Sequence, residues 1–169
     1  MIPVLATERL ILRGPRPGDF PPYAAFWASE RSVHEGGPLG EREAWLDFAA
    51  CFGLWLVRGY GTWSVEERGS GAFLGLVGLY QPIQFPEPDL GWTLMAEAEG
   101  RGFAHEAAIA ARAWVWENTA LPSLVSYIDP ANARSIRLAE RLGGRRDPEA
   151  RRVDPGDVVF RHARPARLP

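Results

Sequence analysis

The stretch that decides the fold runs Gly91-Trp92-Thr93-Leu94-Met95-Ala96-Glu97-Ala98-Glu99-Gly100-Arg101-Gly102-Phe103-Ala104. An apolar strand passes through a short polar link into a glycine-spaced loop, and His105 to Glu117 continue with a helical pattern. Small residues stand where a backbone must come close to a partner, directly before a helix N-terminus. Unpaired amides there, with the positive end of the helix dipole, suit a phosphate or pyrophosphate. No Gly-Lys-Ser/Thr follows, so this is no Walker loop, and the glycine spacing is not the dinucleotide GxGxxG. A tight structural turn accounts for the same residues without a ligand. Taken alone, the loop says only that an anion fits at a helix start.

The second informative stretch is Asp129-Pro130-Ala131-Asn132-Ala133-Arg134-Ser135-Ile136-Arg137-Leu138-Ala139-Glu140-Arg141-Leu142-Gly143-Gly144. It follows an apolar strand, Ser123 to Ile128, and reads as a helix with Ile136, Leu138 and Leu142 available for burial. Gly143 or Gly144 ends it in a left-handed conformation. Asn132 sits where a helix cap belongs, and capping alone explains its presence.

Together the two stretches resemble the GNAT superfamily of acyl-coenzyme A N-acyltransferases, in the branch of the ribosomal-protein N-terminal alanine acetyltransferases. That branch opens with a Thr-Glu-Arg-Leu-x-Leu-Arg strand, and Thr7-Glu8-Arg9-Leu10-Ile11-Leu12-Arg13 fits every position. Its coenzyme loop stands in register with Gly100-Arg101-Gly102-Phe103-Ala104-His105-Glu106-Ala107. Its last helix corresponds through Asn132, Ser135 and Leu142-Gly143-Gly144, with Gly144 in place of the usual Phe. The motifs fall in the family's order over residues 7 to 161.

The resemblance implies an α/β (α+β) fold: a mixed, mostly antiparallel sheet flanked by helices, with a splayed strand pair that binds acetyl-CoA. Backbone groups of Trp92, Leu94 and Met95 are expected at the pantetheine arm. Gly100, Arg101, Gly102, Phe103 and Ala104 are expected at the pyrophosphate, and His105, in the first helical turn, either meets a phosphate or faces solvent. Asn132 and Ser135 carry over to the arm and the region near the sulfur. Glu99 departs from the family's Gln or Arg, placing a carboxylate beside phosphates. The implied reaction is attack of an amine on the thioester, with a proton removed and an oxyanion stabilised by the amide of Leu94 or Met95. Asp89 is the expected base, with Glu87 or water as substitutes, and a turn residue after Pro88 as its bland reading. Many relatives place a Tyr seven residues after the capping Asn to protonate the thiolate; here that position is Ala139. A non-catalytic acyl-CoA-binding module is therefore the alternative. A Rossmann nucleotide binder ranks third, because Gly69-Ser70-Gly71 lies in a hairpin.

Length and composition agree. The 169 residues suit one domain, 1–169, with a sizeable core, and hydrophobic residues make up 46%. The longest apolar run, Phe48 to Val57, is too short for a membrane span, and the chain enters a strand without a signal-like region. Cys51 is the only cysteine, which excludes an internal disulfide and fits the cytoplasm. The net charge of -2 gives no nucleic-acid footprint. His34, His105 and His162 lack metal-ligand spacing, so no metal is expected. The expected partners are acetyl-CoA and an amine acceptor, a protein N-terminus or a small molecule; oligomeric state is not readable.

Periodicity predicts a strand at Leu10–Leu12, helices over 17–29 and 41–57, a hairpin of strands 62–67 and 73–80, and a strand over 89–95. A helix over 102–118, a strand over 123–128, a helix over 132–142 and a strand near 157–162 follow. His34 and Glu35 fall in the loop between the first two helices, either touching the acceptor or simply solvated. The tryptophans read as core, with Trp27 and Trp63 as possible walls of an acceptor pocket.

Overall fold

The structure is a computed structural model that describes residues 1–164; the last five residues of the expected 1–169 domain lie outside it. Its elements are β1 (Leu5–Ala6), β2 (Leu10–Arg13), α1 (Phe20–Trp27), α2 (Glu41–Arg58), β3 (Thr62–Glu67), β4 (Phe73–Tyr80) and β5 (Asp89–Leu94), then α3 (Phe103–Asn118), β6 (Leu124–Ile128), α4 (Ala133–Arg141), β7 (Arg145–Arg146) and β8 (Val158–His162). Among the described residues, eight strands form one sheet in the order β1-β2-β3-β4-β5-β6-β8-β7. Every neighbouring pair is antiparallel except β5 and β6.

The predicted helix over 17–29 is shorter than its pattern. A single 3-10 turn at Pro17–Asp19 precedes α1, and Pro21 and Pro22 occupy the first turn, where a missing N–H costs nothing. The two-residue strands β1 and β7 are too short to leave a periodic signal and join the sheet through tertiary pairing alone. Among the described residues, no helix is long and apolar enough to cross a membrane.

Because β4 alternates two apolar faces, the sheet carries a core on each side. On one side α3 lays Phe103, Ala107, Ala111 and Val115 against Leu10, Leu79 and Leu90. On the other, α1 and α2 bring Tyr23, Trp27 and Phe48 over Leu76 and Met95. Trp63 is fully buried, stacked edge-on with Trp55 and Trp114, and its indole N–H donates to Pro3 O at 2.8 Å. It lines no acceptor pocket, which corrects that expectation. Each such aromatic contributes roughly 1.5–3 kcal/mol by leaving water.

A buried ion network ties β2, β3 and the 3-10 turn. Arg13 donates to Glu66 at 2.6 Å and to both oxygens of Asp19, which also accepts from Ser64. Burial alone would raise the pKa of Asp19, but these donors hold it below its ordinary value. The network fixes the approach to α1, and with it one wall of the site.

Candidate functional site

The sheet opens between β5 and β6. Their parallel ladder has a single register pair, Asp89 with Val125, closed by Val125 N–H to Pro88 O at 3.1 Å. Beyond it, side chains replace the missing rungs. The Asp89 carboxylate accepts from Tyr127 N–H at 3.2 Å, and the Ser126 hydroxyl donates to Leu90 O at 2.7 Å. With their local partners taken, the two strands part.

On the β4 side, Met95 N–H donates to Leu74 O at 2.9 Å. Antiparallel ladders alternate, so the backbone groups of Trp92 and Leu94 turn toward the gap. A pantetheine arm, carrying amides of its own, suits this edge. Met95 does not share that role, contrary to expectation. Its amide is committed to β4, and its side chain is 6% exposed beneath α1 and α2.

At the foot of the gap the chain turns through Gly100 (φ +73°) and Gly102 (φ +80°) into α3. Both are left-handed, so glycine is required by the backbone itself. No side chain caps α3, and the first helical amide bond shown is Glu106 N–H to Gly102 O at 3.1 Å. The amides of Phe103, Ala104 and His105 therefore precede the helix ladder and face an anion's place. Glu106 accepts from Thr7, Arg9 N–H and the Arg9 side chain, which anchors this end of α3 to β2. Only the main chain of Arg101 and Phe103 serves the loop. Arg101 turns to Glu67 at 2.6 Å, and Phe103 is buried under the guanidinium groups of Arg9 and Arg101.

Two cavities meet at the gap. One, of about 1280 Å³, runs along the α3 N-terminus and α4, and its lining includes Trp92, Leu94, Gly100, Gly102, His105 and Ser135. Arg31, Arg134, Arg137 and Arg141 line it, alongside Glu30, Glu35, Glu99 and Glu140. Glu99, the carboxylate that departs from the family pattern, is paired with both Arg31 and Arg134. The other cavity, of about 750 Å³, lies toward α1 and α2 and reaches Tyr23, Trp27, Asp47, Tyr80 and Asp89. Val33, His34, Glu35, Trp92, Asn132 and Ser135 line both.

The 3-10 turn Glu30–Glu35 straps across the junction. Arg31 donates to Leu94 O at 3.0 Å, Glu35 accepts from the Thr93 hydroxyl at 2.8 Å, and His34 pairs with Asp129 at 2.6 Å. His34 and Glu35, read from sequence as either touching an acceptor or solvated, line both cavities.

Asp89 stands at the mouth. Burial raises its pKa to about 7 against the Tyr127 hydrogen bond, with Asp157 and Glu35 adding like-charge repulsion. Glu35 is solvent-accessible, yet the protein walls around it displace enough water to raise it to about 7 as well, with Thr93 opposing. Glu87, the substitute base, is instead held by Arg161 at 2.7 and 3.0 Å and lowered by that partner; it lines neither cavity.

Asn132 caps α4, its carbonyl accepting from Ser135 N–H at 3.1 Å. The Ser135 hydroxyl accepts from the Trp92 indole N–H at 3.1 Å, so its own proton stays available. Ala139 is fully buried with Ile128 and Phe160 and lines neither cavity. Sequence reading missed Asp47, Tyr23 and Tyr80, which no motif marks and which converge only in three dimensions.

A family model described as an acetyltransferase (GNAT) domain matches residues 9–145. The crystal structure of an acetyltransferase from Agrobacterium tumefaciens str. C58 superposes with a TM-score of 0.93 at 44% identity, over 96% of this chain and 95% of that one. The ribosomal-protein-S5-alanine acetyltransferase of Vibrio fischeri shares the fold at 17% identity and a TM-score of 0.71, over 99% and 100% of the two chains. YkkB of Bacillus subtilis is 33% identical over 91 residues, so the match spans 51% of this chain and about half, 52%, of that protein.

Proposed function

The chain belongs to the GNAT acetyltransferase family, and we propose that it moves the acetyl group of acetyl-CoA to a primary amine by direct attack on the thioester. Acetyl-CoA would supply an activated acetyl group. The main chain of Trp92 and Leu94, the amides from Gly100 to His105, Asn132 and Ser135 would hold it. The observation that carries the reading is the Asp89 carboxyl, half-buried where the strands part and poised to take a proton near pH 7. A protonated amine has no lone pair, so a group of this pKa between an acceptor cavity and an anion groove is what the chemistry needs. The Leu94 amide is assigned to the developing negative charge, and the Ser135 hydroxyl to the departing sulfur. In this reading residues 1–169 act as one acetyltransferase domain in the cytoplasm.

A non-catalytic acyl-CoA-binding module is the second reading, favoured by Ala139, whose buried position holds no proton donor. Coenzyme A release, followed with a thiol reagent across a panel of amines, separates the two. Amine-dependent release is expected. Saturable acetyl-CoA binding without release by any amine supports the module.

A further inference from the structure

The acceptor cavity has a marked charge asymmetry. Glu35, Asp47, Asp89, Asp129, Asp154 and Asp157 line it, and among the described residues none of the chain's arginines does. Overall the chain nearly balances, with 19 basic and 21 acidic residues. The asymmetry therefore belongs to this cavity and not to the surface at large. Asp129 is matched by His34, whereas Glu35, Asp47 and Asp89 have only neutral hydrogen-bond donors. Thr93 serves Glu35, Tyr127 N–H serves Asp89, and Asp47 accepts from the Tyr23 and Tyr80 hydroxyls and from Cys51. No cation stands within ion-pair distance of these three among the described residues; Arg31 and His34 act on Glu35 only from farther away. For Asp47 and Asp89, which are half-buried, a negative charge is costly unless a positive charge joins it.

Tyr80 faces Asp89 across the β4–β5 ladder, and its hydroxyl reaches Asp47 at 3.2 Å. Asp47 and Asp89 thus border the same tyrosine, and both line the one cavity. Aromatic rings of Tyr23, Trp27, Tyr80 and Phe85 supply walls with negative faces, which attract ammonium groups. Trp27, 6% exposed, also lines the cavity, and its indole N–H has no hydrogen-bond partner among the described residues.

We propose that the acceptor is a compact amine carrying at least two cationic nitrogens, one delivered to Asp89 for acetylation and the other held by Asp47 within the aromatic walls. This rests on the acetyl-transfer reading above and narrows it from amines in general to di- and polyamines or amino-sugar-like cations. In balanced form, the ammonium gives one proton to Asp89 and the free amine attacks; the nitrogen–acetyl bond forms, the carbon–sulfur bond breaks, and coenzyme A leaves as a thiolate that takes the second N–H proton. The second nitrogen keeps its charge throughout. A singly charged amine would leave Asp47 without its partner.

The test compares 1,4-diaminobutane, spermidine, n-butylamine and an alanine-terminated peptide as acceptors. The diamine or spermidine should exceed n-butylamine in kcat/KM by at least tenfold. Asp47→Asn, which keeps an oxygen for the two tyrosines, should erase that preference by raising KM for the dications at least fivefold more than KM for n-butylamine. Equal rates for mono- and diamines, preference for the peptide, or an equal loss for all acceptors in Asp47→Asn would overturn the proposal while leaving acetyl transfer standing. If no amine turns over, calorimetry of 1,4-diaminobutane with the coenzyme A complex decides. Binding lost in Asp47→Asn upholds the dication site and sinks only the transfer reading, and absence of binding sinks the site.

Discussion

Replacing Asp89 by Asn should move activity and stability in opposite directions. The carboxyl is raised from 3.8 to about 7, chiefly by burial. At about 1.4 kcal/mol per pH unit, holding it ionised in the folded state costs about 4 kcal/mol, which partial access to cavity water trims to about 2–4 kcal/mol. The sign follows from linkage. A carboxyl whose folded pKa is raised binds its proton more tightly in the folded state, so the penalty is nearly absent at pH 4. It grows from there to pH 7 and is constant above. Asparagine keeps an oxygen for Tyr127 N–H and carries no charge to desolvate. Urea unfolding followed by tryptophan fluorescence at pH 5 and pH 8 reads the difference. Asp89→Asn should be the more stable protein at pH 8, with a gain about 1–3 kcal/mol larger than at pH 5. Its kcat/KM should fall by about two to four orders of magnitude, and the acid limb of the pH profile near 7 should vanish. A gain equal at both pH values would mean that burial does not set this pKa. Activity retained within about tenfold would remove Asp89 as the base.

Gly102→Ala must place a side chain at φ +80°, which costs about 1–2 kcal/mol. Thermal denaturation should show that loss, together with a smaller stabilisation by acetyl-CoA than in the wild type; an undiminished rise would take the loop out of the cofactor site. His162, buried beside Ser126 and Arg112, is lowered to about 4 by burial first and by Arg112 second. Its folded pKa lies below the unfolded one, so the neutral ring stabilises the fold fully above about pH 6.5. Roughly 3 kcal/mol is lost as the pH falls toward 4. His162→Gln should flatten that stretch of the stability–pH curve, and an unchanged slope would refute the assignment.

The sequence by itself determined the order of the elements and the loop that enters α3. Periodicity, glycine spacing and the Asn132 cap act within a few residues, so their physics is local. Asp89 was singled out only through the family resemblance, as the carboxylate before Gly91-Trp92; its local setting after Pro88 gave no more than a turn residue. The tertiary structure decided what required distant chain segments to meet. Glu87 and Asp89 are two residues apart, yet Arg161 neutralises the first while burial sensitises the second. Met95 looked equivalent to Leu94 until ladder alternation gave its amide to Leu74. Trp27 and Trp63 carry the same side chain, but packing sent one to a cavity wall and the other to the core. Asp47 is an ordinary polar position on an amphipathic helix; only when α2 lies over β4 do Tyr23 and Tyr80 close around its carboxylate. The desolvation that gives such groups their chemistry depends on what surrounds them in space, and a linear pattern does not encode it.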